Sequence, residues 1–152
     1  MRIAVGADLN GLTMKEAVKA HLLGLGHAVE DFGVHDGEDV DYPDVAEPVA
    51  RAVVDGRVER AVLVCGTGLG MAIVANKVPG VRAAPVTDPY SAERAIKSNN
   101  AQVLCLGGKV IGVDVALLLV DHWVTGEFAG GGSARKVAKI DALDRTDARA
   151  RR

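Results

Sequence analysis

One cysteine stands where an apolar run breaks into three alternating glycines, in the segment LVCGTGLGMAIVANK (63–77). Gly66, Gly68 and Gly70 allow a ligand to approach the backbone closely, and a helix is predicted to begin after them. The free N–H groups and the positive dipole end of such a helix favour an anion. A cysteine in such a setting is available as a base or a nucleophile, and this role is predicted for Cys65. The alternative is that Cys65 is a small buried side chain at the end of a strand.

Three other glycine-rich or cysteine loops do not fit these residues. The dinucleotide fingerprint is G-x-G-x-x-G, whereas the spacing here is G-x-G-x-G. A Walker loop needs Ser or Thr after Gly-Lys, but Val110 follows Lys109. A cysteine phosphatase loop, C-x5-R, requires an arginine where this chain has Met71. The remaining interpretation is a thiol close to the hydroxyl of Thr67.

Histidines bear on the choice between base and nucleophile. A nucleophilic cysteine usually recruits a histidine, and none lies beside the glycine loop. The four histidines are His21, His27, His35 and His122. The pattern therefore favours Cys65 as a base. Cys105 lies in the middle of a predicted strand, VLCLGG, and is predicted to be a buried structural residue.

Short β-rich runs alternate with helical patterns along the chain, which is typical of a parallel α/β sheet. The predicted strands are RIAVGA (2–7), AVEDFG (28–33), RAVLVC (60–65), VRAAPV (81–86) and QVLCLG (102–107). Helical spacing links Met14, Val18, Leu22 and Leu25, then Val45, Val49 and Val53, and finally Val137, Ile140 and Leu143. Further helices are predicted over about 89–98 and over 113–124, and the latter is apolar almost all round and must be largely covered.

These elements predict a three-layer Rossmann-like (flavodoxin-like) fold, with five parallel strands and helices on both faces. Ligands bind such sheets at the carboxyl ends of the strands, where loops turn into helices. Two motifs are predicted to lie there, GADLNG after the first strand and CGTGLG after the third. We therefore expect the ligand site between these two loops.

Length and composition limit the classes of function. The 152 residues suffice for one domain, which we place over 1–144, with a flexible charged tail over 145–152. A formal net charge of −2 provides no basic field for nucleic acid, and no apolar run approaches the ~20 residues of a membrane span. Two cysteines in apolar stretches, with no apolar leader at MRIAVGADLNG, predict a cytoplasmic protein. The acidic stretch HDGEDVDYPD matches no Ca²⁺ loop, and we expect neither metal nor cofactor.

Six motifs together resemble the ribose-5-phosphate isomerase B family, which includes the galactose-6-phosphate isomerase subunits. They are GADxxG, DYPD, CGTGxGMxIxANKxPGxRAA, DPYSAERA, SNNAQ and GGKVIG. The resemblance covers nearly the whole chain, and the block over 65–84 is the most specific. It implies cofactor-independent interconversion of aldose and ketose phosphates through a cis-enediolate. It also implies a homodimer or homotetramer with each active site at a subunit interface.

The resemblance implies roles for individual residues. Cys65 would be the base that moves a proton between C1 and C2, and Thr67 its hydroxyl partner. The oxyanion hole for the enediolate would be formed by the backbone amides of Gly66, Gly68, Leu69 and Gly70. The substrate-binding set would be Asp8, Leu9, Tyr42, Ser98 and Asn99, with Asn99 offered by the neighbouring subunit. A second branch of the family has glutamate at the position of Met71, so this chain falls in the cysteine branch.

The chain departs from the family pattern in two loops and in the last helix. The first loop usually has a histidine after the aspartate, and here that residue is Leu9. The histidine that opens the furanose ring is replaced by Ser98. Two phosphate-binding arginines align with Gly132 and Lys136, so phosphate binding is expected from Lys109, Arg135 and Lys136.

The missing histidines bear on the substrate. A pentose 5-phosphate closes to a furanose through O4, whereas a tetrose 4-phosphate has O4 blocked and stays open. The chain is therefore predicted to isomerise D-erythrulose 4-phosphate to D-erythrose 4-phosphate, as in a tetrulose-phosphate branch of the family. Ribose-5-phosphate isomerase is the first alternative. A non-catalytic sugar-phosphate-binding subunit of a hetero-oligomer is the second, and retention of Cys65, Thr67 and the glycines argues against it.

Overall fold

Five parallel strands form one sheet in the computed structural model, which describes the backbone of residues 1–150 and the side chains of residues 1–144. The strands lie in the order β2-β1-β3-β5-β4. Their bounds are β1 Arg2–Ala7, β2 Ala28–Asp31, β3 Arg60–Cys65, β4 Ala83–Pro85 and β5 Val103–Gly107. The central strands β1, β3 and β5 are continuous apolar runs, buried almost throughout, as strands covered on both faces must be.

Helices cover both faces of the sheet and complete three layers. Their bounds are α1 Leu12–Gly24, α2 Tyr42–Val54, α3 Leu69–Ala75, α4 Pro89–Lys97, α5 Val113–Val124 and α6 Gly132–Ala150. The core on one face is shared by α1, α4 and α5, and includes the buried Trp123. The core on the other face is shared by α2 and α3, and includes Cys65 and Cys105. The predicted three-layer α/β architecture is confirmed.

The parallel register places three loops at the same edge of the sheet. Ala7 pairs with Val64 and Cys65 pairs with Gly107, so β1, β3 and β5 end side by side. The loops after these strands therefore meet at the carboxyl edge. A 3₁₀ turn, Leu9–Gly11, connects β1 to α1 at this edge.

Several predicted bounds and exposures were wrong. The strands β2 and β4 are shorter than the runs 28–33 and 81–86, because Gly33 has φ +87 and the N–H of Arg82 is held by the Gln102 side chain. Leu25 comes after the end of α1 and is exposed rather than part of its buried face. On α5, Val115 and Leu118 are exposed, so one stripe of this apolar helix is uncovered in a single chain.

The last helix attaches to its own chain near the amino edge of the sheet. Asp141 accepts a hydrogen bond from Arg82 at 2.6 Å, and the Asp144 carboxylate accepts one from Gly80 N at 2.7 Å. Val137 is buried, whereas Ile140 and Leu143 are exposed. The backbone of α6 continues over 145–150, and residues 151–152 of the predicted flexible tail lie outside the described residues. Within the described part of the chain, none of the helices is both long and apolar enough to span a bilayer.

A buried lysine fastens the loop after β2 to α1. The Lys15 side chain has no exposed area, and its Nζ donates to Asp31 Oδ1 and to the Val34 carbonyl, each at 2.8 Å. Burial raises the pKa of Asp31, but hydrogen bonds from Lys15, Lys19 and the Gly33 amide outweigh it and lower that pKa to about 2. The loop in turn pairs with β1, because Ala7 N donates to Gly33 O at 2.7 Å. Lys15 thus supports the end of β1.

Asp31→Asn is expected to lower the free energy of unfolding at pH 7 by about 3 kcal/mol, because it removes the more buried of the two carboxylates that neutralise Lys15, the other being Glu16. The folded pKa of Asp31 lies below the unfolded value of 3.8, so its stabilisation is complete above that value and is lost as the pH falls toward 2. Urea unfolding at pH 7, 4 and 2 measures the difference in free energy of unfolding between the wild type and the variant. This difference should shrink as the pH falls across this range. A difference below about 0.5 kcal/mol at pH 7 would contradict the assignment.

Candidate active site

Cys65 ends β3 with its thiol turned into the next loop. Its side chain is 5% exposed, and Sγ accepts a hydrogen bond from Gly68 N at 3.1 Å. The sulfur is therefore nearly covered by protein and is held by a backbone amide. Thr67 is exposed, and its Oγ1 accepts a hydrogen bond from Leu69 N at 3.3 Å. Cys65 belongs to the buried core, as the structural alternative predicts, and its thiol is also hydrogen-bonded in the glycine loop, where the role of a base stays a prediction.

The glycine loop lies directly on the end of β5. Gly68 has φ +78, and a Cβ there would lie 3.0 Å from the carbonyl carbon of Leu106. A Cβ on Gly107 would lie 2.8 Å from the carbonyl of Thr67. Two hydrogen bonds join the segments, from Gly108 N to Cys65 O at 2.8 Å and from Lys109 N to Gly66 O at 3.0 Å. The close backbone approach explains why glycines occupy both sides of this contact.

The turn after β1 brings a carboxylate to the same edge. Asp8 is 9% exposed, and its Oδ1 accepts a hydrogen bond from Gly11 N at 3.1 Å. A Cβ on Gly11 would overlap the Val64 carbonyl, so the turn is pressed against β3. Leu9, in the same turn, is 51% exposed. One oxygen of Asp8 is thus engaged in the turn, next to the cysteine loop.

Tyr42 and Lys109 border the glycine loop on its outer side. The ring of Tyr42, the first residue of α2, lies against Gly70, where a Cβ would be 2.7 Å from the ring. The Lys109 side chain passes Gly66, with Cδ 3.7 Å from the position of a Cβ there. A single chain therefore gathers a thiol, a carboxylate, a phenol, a hydroxyl and an ammonium group around one loop.

The remaining predicted site residues do not join this group within one chain. Ser98 and Asn99 come after α4 and before β5, so they lie toward the amino edge, with the length of β5, about 16 Å, between them and Cys65. Arg135 and Lys136 are exposed on α6, which attaches near the amino edge. If these four residues act at this site, they must come from another chain.

The two thiols differ in what they can do. Burial raises the pKa of Cys105 far above the ordinary range, with a smaller contribution from Cys65, so Cys105 stays protonated. Cys105 is fully covered in the middle of β5, as predicted for a structural residue. Cys65 lies at the open end of its strand beside backbone amides. Of the two, only Cys65 is placed for proton transfer to a ligand at the carboxyl edge.

Metal-binding side chains do not gather in the described residues. No group of three or more His, Cys, Asp or Glu side chains in that part of the chain could hold an ion. The acidic segment before α2 is largely exposed.

The class of protein defined by the fold is a parallel α/β sheet that binds its ligand at the carboxyl edge, where this chain has its thiol and glycine loop. The family model for ribose/galactose isomerases matches residues 3–140, and the chain belongs to this family. It is 50% identical over 141 residues to the D-erythrulose-4-phosphate isomerase of Pectobacterium atrosepticum, covering 92% of this chain and 93% of that protein. It is 44% identical over 144 residues to the ribose-5-P isomerase B of Listeria innocua, covering 95% and 97%.

Among solved structures, the chain is similar to ribose-5-phosphate isomerase B from Clostridium thermocellum. The TM-score is 0.94 at 44% sequence identity, and the match covers 96% of this chain and 99% of that one. Both the backbone and the sequence therefore match over nearly the full length, and the resemblance inferred from the six motifs is confirmed.

Sequence reasoning did not place one polar residue that the structure brings to the site. Asn10 is exposed in the turn after β1, and its Cβ lies 3.8 Å from the position of a Cβ on Gly66. Its position two residues after Asp8 is the signal that could have indicated it. Asn10 and Lys109 thus flank the residue immediately after Cys65.

Proposed function

We propose that this protein is an aldose–ketose isomerase of sugar phosphates in which Cys65 is the base, and that its preferred substrate is D-erythrulose 4-phosphate. The observation that carries the proposal is the thiol of Cys65 held by Gly68 N at 3.1 Å, beside the Asp8 carboxylate turn and the Tyr42 ring. Membership of the isomerase family and the 50% identity to a D-erythrulose-4-phosphate isomerase support it.

The reaction needs one group that takes a proton from carbon and returns it. A thiolate at Cys65 removes a proton from C1 of the ketose, and the C–H electrons form the C1=C2 bond while the C2 oxygen becomes anionic. The proton on O1 then moves to O2, and the Cys65 thiol returns its proton to C2, which leaves an aldehyde at C1. We assign the O1-to-O2 proton movement to Thr67, whose hydroxyl can both donate and accept.

The enediolate oxygen requires donors that are already in place. We assign this role to the backbone amides of Gly66, Gly68, Leu69 and Gly70. In the ligand-free loop, Gly68 N donates to Cys65 and Leu69 N donates to Thr67. These two amides must exchange their present acceptors for the substrate oxygen, or share their hydrogen bonds with it. The proposed chemistry uses no metal or cofactor, so turnover should persist in EDTA.

The choice of substrate rests on Ser98 and Leu9. Neither side chain can transfer a proton near neutral pH, so the chain offers no group at those positions to open a furanose ring. D-erythrulose 4-phosphate needs no ring opening, because its O4 carries the phosphate. Ribose 5-phosphate is the second candidate, and the 44% identity to a ribose-5-P isomerase B favours it. Purified protein should convert D-erythrulose 4-phosphate to the aldose, and in D₂O deuterium should enter C2 because the Cys65 thiol exchanges its proton with the solvent before it returns one. No turnover of either substrate would refute the proposal.

The active site is proposed to lie between two subunits of a homo-oligomer in the cytoplasm, where a free thiol persists. Asn99 and the cations Arg135 and Lys136 would then reach the partner's Cys65 loop, because their own is too distant. The exposed stripe of α5, with Val115 and Leu118, is apolar surface that association could cover.

Mixing two inactive variants should restore activity if the site is shared. Cys65→Ala and Asn99→Ala homo-oligomers each lack one group in every site, whereas hybrids contain some sites with both groups intact. After unfolding and refolding together at equal amounts, the mixture should exceed the sum of the separately refolded parents in the isomerase assay. Activity no higher than that sum, with subunit exchange demonstrated by mass spectrometry, would place Asn99 outside the shared site.

A further inference from the structure

The turn after β1 contains the side-chain amide of Asn10, whose position suits recognition of a single hydroxyl group of a ligand. Asn10 Nδ2 lies 3.5 Å from Asp8 Oδ2, a long hydrogen bond. Asp8 Oδ1 accepts the shorter hydrogen bond from Gly11 N, whereas Oδ2 accepts only weakly from Asn10 and keeps a lone pair for a ligand. A hydroxyl placed between the two side chains can donate to the carboxylate and accept from the amide. The pair would thereby satisfy both hydrogen-bonding roles of one hydroxyl.

Backbone contacts fix where Asn10 lies. A Cβ on Gly108 would approach the Asn10 carbonyl oxygen to 2.7 Å, and the Asn10 Cβ packs near Gly66. The turn is also closed by Gly11 N donating to Asp8 O at 3.0 Å. The Asn10 side chain is exposed at the edge where β1 and β3 end. It therefore stands beside the residue after the proposed base, on a backbone that has little freedom to move.

The chemistry of the substrate leaves one hydroxyl for such a pair. In D-erythrulose 4-phosphate, the oxygens on C1 and C2 take part in the enediolate, and the oxygen on C4 carries the phosphate. The C3 hydroxyl is the only one left, and C3 is the only stereocentre. Leu9 cannot form a hydrogen bond with it, so the polar contact from this turn falls to Asp8 and Asn10.

We propose that Asn10, acting with Asp8, recognises the C3 hydroxyl and sets the stereochemical preference of the enzyme. This inference rests on the proposed isomerase function. Because Asn10 is a neutral amide, it performs this role without titrating between pH 5 and 8. The same argument applies to a pentulose phosphate, whose C3 hydroxyl is also adjacent to the reacting carbons.

Enantiomers that differ only at C3 test the role directly. kcat and KM of the wild type, Asn10→Ala and Asn10→Ser are measured with D- and L-erythrulose 4-phosphate. The ratio of kcat/KM for the D and L forms should fall about tenfold in Asn10→Ala, as expected for loss of one hydrogen bond to substrate, and should recover in part in Asn10→Ser. Thr13→Ala, an exposed change at the start of α1, is the matched control and should keep the wild-type ratio.

The outcomes separate this inference from the function on which it rests. If the wild type is active and the D/L ratio of Asn10→Ala stays within twofold of the wild type, the role of Asn10 is overturned while the isomerase function stands. If the wild type isomerises neither enantiomer nor ribulose 5-phosphate, both are overturned. If only pentulose phosphates react, the C3 epimers ribulose and xylulose 5-phosphate replace the tetruloses, and the same tenfold loss of preference in Asn10→Ala is required.

Discussion

Cys65→Ala is expected to lower kcat by 10²- to 10⁴-fold, the usual cost of losing a positioned proton-transfer group. The fold should survive, because the thiol lies at the end of β3 and its removal deletes a single sulfur atom from the edge of the core. Isomerase assays on the purified variant give kcat, and circular dichroism with urea unfolding reports the fold. Binding of a non-reactive phosphorylated tetritol should stay within about threefold of the wild type, since the base contributes to the transition state rather than to ground-state affinity.

Cys105 provides the matched control for removal of a thiol. It lies on the neighbouring strand, in the same core as Cys65, and its thiol stays protonated. Cys105→Ala should lower the free energy of unfolding by about 1–2 kcal/mol through a small cavity, with kcat near the wild-type value at temperatures where the variant is folded. A Cys65→Ala enzyme that keeps more than about a third of the wild-type kcat would show that another group is the base.

D-erythrulose 4-phosphate is expected to exceed ribose 5-phosphate in kcat/KM by at least tenfold, and by about 10²-fold if ring opening limits the pentose. With Ser98 in place of an imidazole, ribose 5-phosphate must rely on uncatalysed ring opening or on its small open-chain fraction. Assays of both substrates on one preparation measure the ratio. Equal or better turnover of ribose 5-phosphate would refute the tetrulose assignment and favour the second candidate.

Ser98→His tests the cause of this preference. An imidazole at this position can exchange a proton near neutral pH, so the variant should gain activity on ribose 5-phosphate without a matching gain on D-erythrulose 4-phosphate. Lys97→His, one residue earlier at the end of α4, places the same imidazole outside the assigned position and should leave the ratio unchanged. A gain on both substrates, or on neither, would show that the absence of histidine at position 98 does not set the preference.

The bounds of the strands and helices could be predicted where the hydrophobic pattern was continuous. They were predicted wrongly where local contacts ended an element early. The strands Arg2–Ala7 and Arg60–Cys65 and the helix Val113–Val124 have the predicted bounds, because each is a dense apolar run with polar residues or glycine at its ends. β4 is three residues long, because Val81 N is bonded to Val78 O and Arg82 N to the Gln102 side chain, which leaves the preceding backbone outside the ladder.

Within the site, the sequence allowed prediction of the residues in the loops that follow the strands. It did not allow prediction of residues whose position depends on contacts between loops or between chains. The loops that carry Asp8, Thr67 and Lys109 lie side by side because β1, β3 and β5 are neighbours in register, and a parallel sheet brings such loops together. Asn10 was missed because its place depends on the close approach of Gly66 and Gly108, which no spacing rule contains. In the proposed assembly, Ser98, Asn99 and Arg135 would come from a neighbouring chain, and the arrangement of two chains is not encoded in the periodicity of one sequence.

The close backbone neighbours found at four glycines have a consequence for evolution; these glycines are Gly11, Gly68, Gly107 and Gly108. At each of these positions the neighbour that excludes a Cβ is backbone, so the geometry of the loops does not depend on the side chains displayed above them. Exposed residues such as Leu9 and Asn10 can therefore be exchanged at little cost to folding. A lineage that acquires a new sugar phosphate needs only a few substitutions in this outer set, while the proton-transfer apparatus is inherited intact. Divergence in substrate range should consequently be faster than divergence in mechanism.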